Sequence, residues 1–462
     1  MKIREWKLAK RGLIAFAFLC STNMQAQQKL PAAIHTFSLQ QALDYAKQHN
    51  VQVKNALLGI QIQEQTNREF TGAAYPQISA SGSLVYNAKL PVSLVPAEFF
   101  GGQPGTFEKL AFGVKWGATG GISLNQIVFD GQVFVGLQAR RTLMQFQEKY
   151  AEVTEETIRA NVYKIYYQLV AAKTQIELLD ANIALLNKLQ HDTRIMQENG
   201  FAEKLDIDKI TVQLSNLQTE KTSALNQVGN GYLGLKVLMG MPVQDSLVLT
   251  DTLTDEQIKN GILEMEDFNY AQRKDYQYAN LGIALGEYDV RRYKLSKLPT
   301  LSLNGYYNKN AQRNKFNFFE KGDWFDISAI TLQLHIPIFT GFSANARIAK
   351  ANLALQQSIN QRDALKISID SEIEMAKNNF NTAIATLDYQ KKNMQLAETV
   401  FQQTKKKFET GMGSNTEITQ AQTDMKAAQT NYINALYSAI IARVDYEKAT
   451  GKLYQTLIQL LR

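Results

Sequence analysis

The stretch QIVFDGQVFVGLQARR, from Gln126 to Arg141, decides the fold because it has a near copy later in the chain. The copy is HIPIFTGFSANARIAK, from His335 to Lys350. Each stretch finishes an apolar run with Phe, then Asp or Thr, then Gly, and continues with residues typical of a helix. The pattern predicts a strand followed directly by a helix, twice in one chain.

Short side chains at these two junctions are suited to capping a helix. Asp130 and Thr340 are predicted to accept hydrogen bonds from the first free backbone N–H groups of the helix that follows each strand. Gly131 and Gly341 are predicted to let the backbone turn at the same places. One such junction would fit any β-to-α connection, but two junctions in register, each before a long helical pattern, predict an internal repeat.

Other stretches recur at similar offsets. YPQISASGSLVYN, from Tyr75 to Asn87, resembles LPTLSLNGYYNKN, from Leu298 to Asn310. NGFAEKLDI, from Asn199 to Ile207, resembles TGMGSNTEI, from Thr410 to Ile418. The offset falls by 13 residues between the first and second strand of each half, so the first hairpin loop is predicted to be the longer one. These echoes predict a tandem duplication with a mixed, mainly α fold and a duplicated strand–strand–long helix–helix plan.

The domain plan follows from the repeat. It comprises a signal peptide, 1–26; a first repeat, 27–240, with a short helix, a β-hairpin at 75–129 and a long helix pair at 131–240; an equatorial connector, 241–267; a second repeat, 268–451, with a helix, a β-hairpin at 298–339 and a long helix pair at 342–450; and a C-terminal segment, 452–462.

The N-terminal segment is predicted to be a secretory signal peptide. Basic residues precede an apolar stretch that ends at Cys20, and Ala26 closes an A-x-A-like cleavage site. Cleavage there would remove the single cysteine and, with it, five basic residues and one acidic residue, so the net charge would fall from +7 to +3. Lipidation of Cys20 is not expected, because Leu19 stands where lipoprotein signals place a small residue.

The rest of the chain has neither the pattern of a nucleic-acid-binding protein nor that of a helical membrane protein. No basic stripe carries interleaved aromatic residues. No run of about 18 apolar residues follows the leader, so a membrane role would need β-strands.

Segments of both repeats alternate apolar and polar residues. In the second repeat Leu301 and Leu303 alternate with Ser302 and Asn304. Strands of about ten residues with one apolar and one polar face are typical of a lipid-facing, water-lined barrel, although a half-buried strand of a soluble sheet has the same pattern. Four strands cannot close a barrel, so membrane-spanning strands would require an oligomer.

Long helices follow the strands. From Gly131 to about Asn199 the sequence contains no proline, which predicts a helix about 100 Å long. Apolar residues recur every seven positions along this helix and its counterpart, a period that makes helices supercoil. The final helix carries small residues at the same period, which predicts close packing against its partner. This alanine stripe consists of Ala421, Ala428, Ala435, Ala442 and Ala449.

Together these features resemble the TolC-type outer-membrane efflux channels over nearly the whole mature chain. The resemblance is carried by the duplicated plan, the Ser38-Leu39 opening, Pro76 and Pro299 before the strands, the two junctions and the Gly-x5-Asp/Glu spacing at the helix turns. It implies a homotrimer with one twelve-stranded transmembrane β-barrel, continued by a periplasmic α-helical coiled-coil barrel. It also implies outer-membrane lipid, a periplasmic adaptor and an inner-membrane RND or ABC pump as partners.

The resemblance also implies an aperture near the turn of each helix pair. In the family, a Tyr, an Arg and two Asp close this aperture. The corresponding positions here are Phe408, Gly413, Glu417 and Gln420, and the aspartate of the first repeat is kept as Asp206. The implied aperture residues are therefore Asp206, Phe408 and Glu417, with the Arg and the second Asp replaced. Both acids would equally fit the first turn of a helix, where the helix dipole favours a negative charge.

The helix turns themselves are candidate contacts for an adaptor. Gly200 and Gly411 are predicted to follow the first helix of each pair, where a glycine commonly ends a helix. Lys405 lies in a run of three lysines just before the second turn. An adaptor contact is one interpretation of that run, and a solvated helix face is the other.

Two classes of function fit these observations. One is an outer-membrane exit duct that conducts substrates passively for a pump and adaptor. The other is a structural coiled-coil protein of the cell envelope without a pore. No paired acids, nucleophile or phosphate-binding loop predicts an enzyme, and the four scattered histidines predict neither a metal site nor a cofactor.

Overall fold

The computed structural model describes residues 34–253, 268–320 and 322–453. The predicted signal peptide with Cys20, residues 254–267 of the predicted connector and nearly all of the predicted C-terminal segment lie outside them. The helices are α1 (Leu39–His49), α2 (Val51–Gly72), α3 (Gly131–Glu198), α4 (Lys204–Met239), α5 (Lys274–Leu295), α6 (Ser343–Glu409) and α7 (Asn415–Ala449). The strands are β1 (Ile34–Phe37), β2 (Gln77–Tyr86), β3 (Val92–Pro96), β4 (Phe107–Ala111), β5 (Trp116–Phe129), β6 (Ser246–Leu249), β7 (Thr300–Arg313) and β8 (Phe325–His335).

The order of elements confirms the duplicated plan. Helices α2 and α5 both have 22 residues. The long helices α3 and α6 have 68 and 67 residues, and the helices that follow them, α4 and α7, have 36 and 35. The residue boundaries of the two repeats remain a prediction.

The chain divides into two compact units that do not follow the repeats. Unit one contains the described residues up to Ala46 and the range Ile165–Leu253. Unit two contains Lys47–Lys164 and the described residues from 268 onward. The division falls inside α3, which is one continuous helix by its backbone hydrogen bonding.

Unit one is organised around a two-stranded parallel sheet. Strand β1 pairs with β6. The hydroxyl of Tyr166, which is fully buried, donates a 3.0 Å hydrogen bond to the carbonyl oxygen of Phe37. The carboxylate of Asp251 accepts a 2.8 Å hydrogen bond from the backbone N–H of Leu39, at the start of α1. The start of α1 is thus fixed by a residue 212 positions away.

Unit two contains a four-stranded antiparallel sheet in the order β2-β5-β7-β8. Strands β2 and β8 form its two edges. The longer loop that the sequence predicts between β2 and β5 carries a second, two-stranded hairpin, β3 with β4, in which Val92 is opposite Ala111. The sheet thus joins the strands of both predicted repeats, because β5 pairs directly with β7.

Helices α6 and α7 of unit two pack along each other. Phe380, Leu387, Phe401 and Phe408 are buried on α6 at multiples of seven residues. On α7 all five members of the alanine stripe are buried. Small side chains let the axes approach closely, so the structure confirms the predicted heptad packing of this pair.

No helix in the described ranges is both long and apolar enough to cross a membrane.

Candidate functional site: helix tips, strand junctions and the polar face of the sheet

The turn between the end of α3 at Glu198 and the start of α4 at Lys204, called here the first helix tip, lies in unit one and is closed by backbone hydrogen bonds. Gly200 has a φ of 79°. The N–H of Phe201 donates to the carbonyl of Met196 over 2.8 Å, and the N–H of Gly200 donates to the carbonyl of Gln197 over 3.0 Å. These two bonds form a Schellman motif, which needs the left-handed backbone that glycine adopts without strain. The predicted position of Gly200 is confirmed.

Asp206 caps the helix that follows this tip. Glu203 is the N-cap of α4, and its side chain accepts a hydrogen bond from the backbone of Asp206. The carboxylate of Asp206 in turn accepts a 3.2 Å hydrogen bond from the N–H of Glu203. This reciprocal pair is a capping box. The structure therefore gives Asp206 a local role in starting α4, as the alternative interpretation of this acid expected.

The second helix tip is the turn between the end of α6 at Glu409 and the start of α7 at Asn415. It lies in unit two and has the same backbone conformation. Gly411 has a φ of 73°, and the N–H of Met412 donates a 3.0 Å hydrogen bond to the carbonyl of Lys407. Ser414 is the N-cap of the next helix, α7, and its hydroxyl accepts a 3.2 Å hydrogen bond from the N–H of Glu417. Here the backbone of the acidic residue takes part in the cap, and the Glu417 side chain is exposed.

Gly413 closes the second tip more tightly than a larger residue could. A Cβ atom at this position would lie 3.0 Å from the backbone nitrogen of Phe408 and 3.1 Å from the carbonyl carbon of Lys407. The N–H of Gly413 also donates a 3.0 Å hydrogen bond to the Lys407 carbonyl. A Cβ at this position would therefore require the backbone of the tip to shift by a few tenths of an ångström.

The side chains of Phe408 and Lys405 both contact their own chain: Phe408 is buried, and Lys405 points toward an acidic residue of its own helix. Phe408 is only 6% exposed, and it packs inside the α6–α7 pair of its own chain. Lys405 lies 3.9 Å from Glu409, one turn further along α6. Phe408 therefore acts at the tip through packing. Asp206 belongs to unit one and Glu417 to unit two, so their joint aperture remains a prediction.

The two strand-to-helix junctions differ in their capping. Asp130 accepts a 2.8 Å hydrogen bond from the N–H of Gln132, which confirms it as the cap of α3. Thr340 was predicted to do the same for α6, and this was wrong. Helix α6 begins three residues later, at Ser343, and Thr340 contributes its carbonyl oxygen, which accepts hydrogen bonds from the N–H and the hydroxyl of Ser343.

The junction glycines also have different reasons to be glycine. Gly341 has a φ of 59°, as expected for a turn, and the next residue, Phe342, has a φ of 64°. Gly131 is not in the left-handed region. A Cβ there would lie 2.9 Å from the Cβ of Leu295, so Gly131 is required by the close approach of α5. The predicted turning role is therefore confirmed for Gly341 and wrong for Gly131.

One face of the four-stranded sheet is polar and hydrogen-bonded between strands. The hydroxyls of Ser79 on β2 and Ser123 on β5 are 2.8 Å apart. On the same face Thr119 of β5 donates to Asn310 of β7 over 3.4 Å, and the amide of Asn304 donates to Gln333 of β8 over 3.4 Å. The opposite face carries the apolar residues that the alternation predicted, such as Ile330 and Leu332, which are 83% and 62% exposed in the single chain.

A buried arginine that sequence reasoning missed holds the start of α5. Arg273 is 7% exposed and makes a double hydrogen bond to Asp275. It also contacts Glu372 of α6 at 2.9 Å. Burial alone would raise the pKa of the Asp275 carboxyl, but the hydrogen bond and charge of Arg273 outweigh it and leave that pKa lowered. The signal in the sequence is only a mixed-charge run, Arg273-Lys274-Asp275.

Two further acids of α3 lie in the same charged region of unit two. Glu152 accepts hydrogen bonds from Lys149 and Lys274 at 2.8 and 2.6 Å. Burial by itself would raise the pKa of Glu152, and these two lysines lower it overall. Glu156 is more deeply placed, and burial raises the pKa of its carboxyl despite the nearby charge of Arg273. The region is a network of charges between helices α3, α5 and α6.

The comparisons with known proteins agree with this fold. Residues 270–452 match the family model described as outer membrane efflux protein. The outer membrane protein TolC of Vibrio cholerae is 22% identical over 339 aligned positions, which cover 72% of this chain and 76% of that relative. The outer membrane efflux protein BepC of Brucella suis is 21% identical over 464 aligned positions, covering 98% of this chain and 92% of that relative.

Among solved structures, that of CusC superposes on this chain with a TM-score of 0.74. The match covers 89% of this chain and 91% of CusC, at 14% identity. At this identity the likeness shows a shared fold.

Proposed function

We infer that this chain, a TolC-type outer-membrane efflux protein, is the outer-membrane exit duct of an efflux or type I secretion assembly. The family consists of channel proteins, and the chain conducts substrates passively from a pump and adaptor to the outside. It lies in the outer membrane with a long helical part in the periplasm. We expect neither catalysis nor a cofactor, because the energy for transport comes from the pump.

The observation that carries this proposal is the four-stranded sheet with two open edges and two unlike faces. Unpaired backbone N–H and C=O groups at a sheet edge are very unfavourable in hydrocarbon. A trimer in which β8 of one protomer pairs with β2 of the next removes every edge and gives a barrel of twelve strands. The apolar face then contacts outer-membrane lipid, and the hydrogen-bonded polar face lines the lumen.

The long helices continue the duct away from the membrane. In the proposed trimer the four long helices of each protomer, α3, α4, α6 and α7, form a periplasmic coiled-coil barrel of twelve helices. The packed α6–α7 pair, with its buried alanine stripe, supports this arrangement because it is a coiled-coil unit within one chain.

The helix tips are the proposed contact for a periplasmic adaptor, which links the duct to an inner-membrane RND or ABC pump. Each tip presents an apolar side chain beside its turn glycine. Phe201 follows Gly200 and is 79% exposed, and Met412 follows Gly411 and is 78% exposed. Lys405 lies seven residues before Met412 in the sequence, near the end of α6. Exposed apolar groups in a polar setting are typical of protein contacts.

The proposed aperture is lined by Asp206 and Glu417 and held together by the packing of Phe408. Its chemistry differs from that of a hydrogen-bonded gate, because Gly413 has no side chain to donate from and Phe408 has no hydroxyl. The closed state would then depend on the coiling of the helix pairs more than on polar links between them.

Single-channel recording in a planar bilayer, together with the mass of the detergent-extracted protein, tests the proposal. An exit duct gives a homotrimer that inserts into the bilayer and conducts. A structural coiled-coil protein of the envelope without a pore gives an oligomer that never conducts. A monodisperse monomer that is soluble without detergent would contradict the paired sheet edges, since those edges and the apolar face would then be in water.

A further inference from the structure

All charged side chains of the four-stranded sheet lie on one face, and it is the apolar face. On β7, Lys309 and Arg313 continue the row that begins with Leu301 and Leu303, and on β8 Asp326 belongs to the row of Ile330 and Leu332. Lys309 and Asp326 form an ion pair at 3.0 Å. Lys309 is eight residues from Leu301, about 27 Å along an extended strand; at a barrel tilt of about 40° this is about 21 Å of height, close to the roughly 25 Å of an apolar band. These charges therefore lie at the outer end of the band.

The polar face, by contrast, carries no lysine, arginine, aspartate or glutamate at any described position of the four strands. Its rows consist mainly of hydroxyl, amide and glycine positions. One such row contains Ser81, Gly121 and Asn308, and ends at Ile327 on β8. The only imidazole is that of His335, the last residue of β8 and the one nearest α6.

The side chains of the polar face are engaged with one another. Besides the cross-strand pair of Ser79 and Ser123, the side-chain amide of Asn308 lies across β5, because its Oδ1 atom occupies the place that a Cβ on Gly121 would take. Neutral dipoles fixed in this way can hydrogen-bond to water, but they create no net potential. Rings of charged side chains are what make a pore selective for cations or anions.

We propose that the strand section of the duct is an uncharged, hydrogen-bonding sleeve that imposes no charge selectivity of its own on the cargo that passes through it. This inference rests on the proposed function, because only closure of the sheet in a trimer makes the polar face a lumen. Ser81 and Asn308 are its central positions, and the matching class of cargo includes cations, anions and zwitterions alike.

Thiol labelling from the outer side tests the sleeve without requiring the helix tips to open. Cys20, the single cysteine of the sequence, lies in the predicted signal peptide, so in the mature chain Ser81→Cys and, separately, Asn308→Cys each place one probe in the proposed lumen. The mature trimer in vesicles is treated with a trimethylammonium-ethyl and a sulfonatoethyl methanethiosulfonate, and both rates are normalised to those of a free small thiol. We expect the normalised cation-to-anion rate ratio to stay within about threefold of one.

A matched pair of variants calibrates the measurement. Adding Ser83→Asp to Ser81→Cys places three carboxylates beside the probe in the trimer, which should raise the ratio by about tenfold or more, whereas Ser83→Asn should leave it unchanged. A ratio far from one without the added aspartate overturns the sleeve. A cation-to-anion rate ratio that Ser83→Asp leaves unchanged overturns the sleeve too, because residues 81 and 83 would then not face the same confined aqueous space.

A probe on the opposite face separates failure of the sleeve from failure of the duct. Ala80 is the neighbour of Ser81 and faces the other side of the sheet. Lipid should protect Ala80→Cys from both charged reagents. If Ala80→Cys reacts as fast as Ser81→Cys, the sheet does not separate lipid from water, and the proposed function fails together with the sleeve. If Ala80→Cys is protected and only the rate ratio departs from one, the sleeve alone fails.

Discussion

The guanidinium of Arg273 donates a 2.9 Å hydrogen bond to the backbone carbonyl of Ala449, the last residue of α7, from a position at the start of α5. The same guanidinium holds Asp275 and Glu372. A positive charge at the carboxyl end of a helix is favoured by the helix dipole and satisfies carbonyl groups that have no partner within the helix. One buried side chain thereby ties together three helices of unit two.

Replacing Asp275 with Asn should destabilise unit two at neutral pH by about 1–3 kcal/mol, because Arg273 loses one of its two carboxylate partners while staying buried. The pKa of Asp275 is lowered in the fold, so its contribution is present above the ordinary aspartate pKa of about 4 and is lost as the pH falls through the lowered value. Thermal unfolding of the trimer from pH 3 to 8 measures this.

The control for that variant is Glu156→Gln, which should act in the opposite direction. Burial raises the pKa of Glu156, so its ionised form opposes folding once the pH rises through the raised value. The variant should stabilise the protein at pH 8 and have little effect below about pH 4. Destabilisation by both variants at neutral pH would contradict the assigned electrostatics.

Replacing Ala428 with Leu should destabilise the α6–α7 pair by about 1–3 kcal/mol, since Ala428 is 3% exposed and the close helix interface has no room for a larger side chain. The neighbouring Ala427 is exposed and provides a matched control, Ala427→Leu, expected to stay within about 0.5 kcal/mol. Trimer melting temperatures give the comparison. Equal losses from both would speak against the alanine stripe as the packed face.

Gly413→Ala should loosen the second helix tip. The added Cβ would press on the backbone of Phe408 and Lys407, which cannot yield as a flexible side chain can, and overpacking of this kind costs about 1–3 kcal/mol. Gly229→Ala is the control, because nothing lies within 4 Å of a Cβ at that position in α4. There the gain in helix propensity should stabilise the protein by about 0.5–1 kcal/mol. Opposite signs in thermal unfolding are the expected result.

Glu417→Gln should weaken the cation selectivity of the closed state, and the double variant with Asp206→Asn should nearly abolish it. In the proposed trimer these acids supply up to six carboxylates near the aperture, and clustered carboxylates attract cations and bind divalent ions. Reversal potential under a salt gradient, with and without millimolar divalent ions, measures the effect. Asp424→Asn, an exposed acid further along α7, should change neither quantity.

If the double neutralisation leaves selectivity and divalent block intact, Asp206 and Glu417 are ordinary first-turn acids. The capping box around Asp206 predicts a separate effect of Asp206→Asn on stability, about 0.5–1 kcal/mol, that would remain in that case.

Phe408 should influence the closed-state conductance through packing and not as a plug. Phe408→Ala removes a side chain that is 6% exposed, at a cost of about 3–5 kcal/mol, and should raise the leak by loosening the tip. Phe408→Trp distinguishes the two roles in bilayer recordings. A larger plug would lower the leak, whereas overpacking inside the α6–α7 pair should raise it. A lower conductance with Trp would show that the ring faces the pore.

Local sequence determined the elements whose causes lie within a few residues. The turn glycines Gly200 and Gly411 follow from the left-handed backbone of a Schellman motif. Asp130 caps α3 through a bond to a residue two positions away. The alanine stripe follows from a seven-residue period, which places its members on one face of the helix, where a packed partner helix buries them.

The tertiary structure decided what depends on residues distant in the chain. Thr340 has the right side chain for a cap, but two consecutive left-handed residues, Gly341 and Phe342, move the start of α6 beyond its reach. Gly131 is glycine because Leu295 approaches it from α5. Arg273 is buried because carbonyls 175 and 176 positions later need a donor. Sequence periodicity predicts the hydrogen bonds and the packed face of a single helix or strand, because their causes lie within that element. The contacts of Thr340, Gly131 and Arg273 form only when elements far apart in the chain pack together.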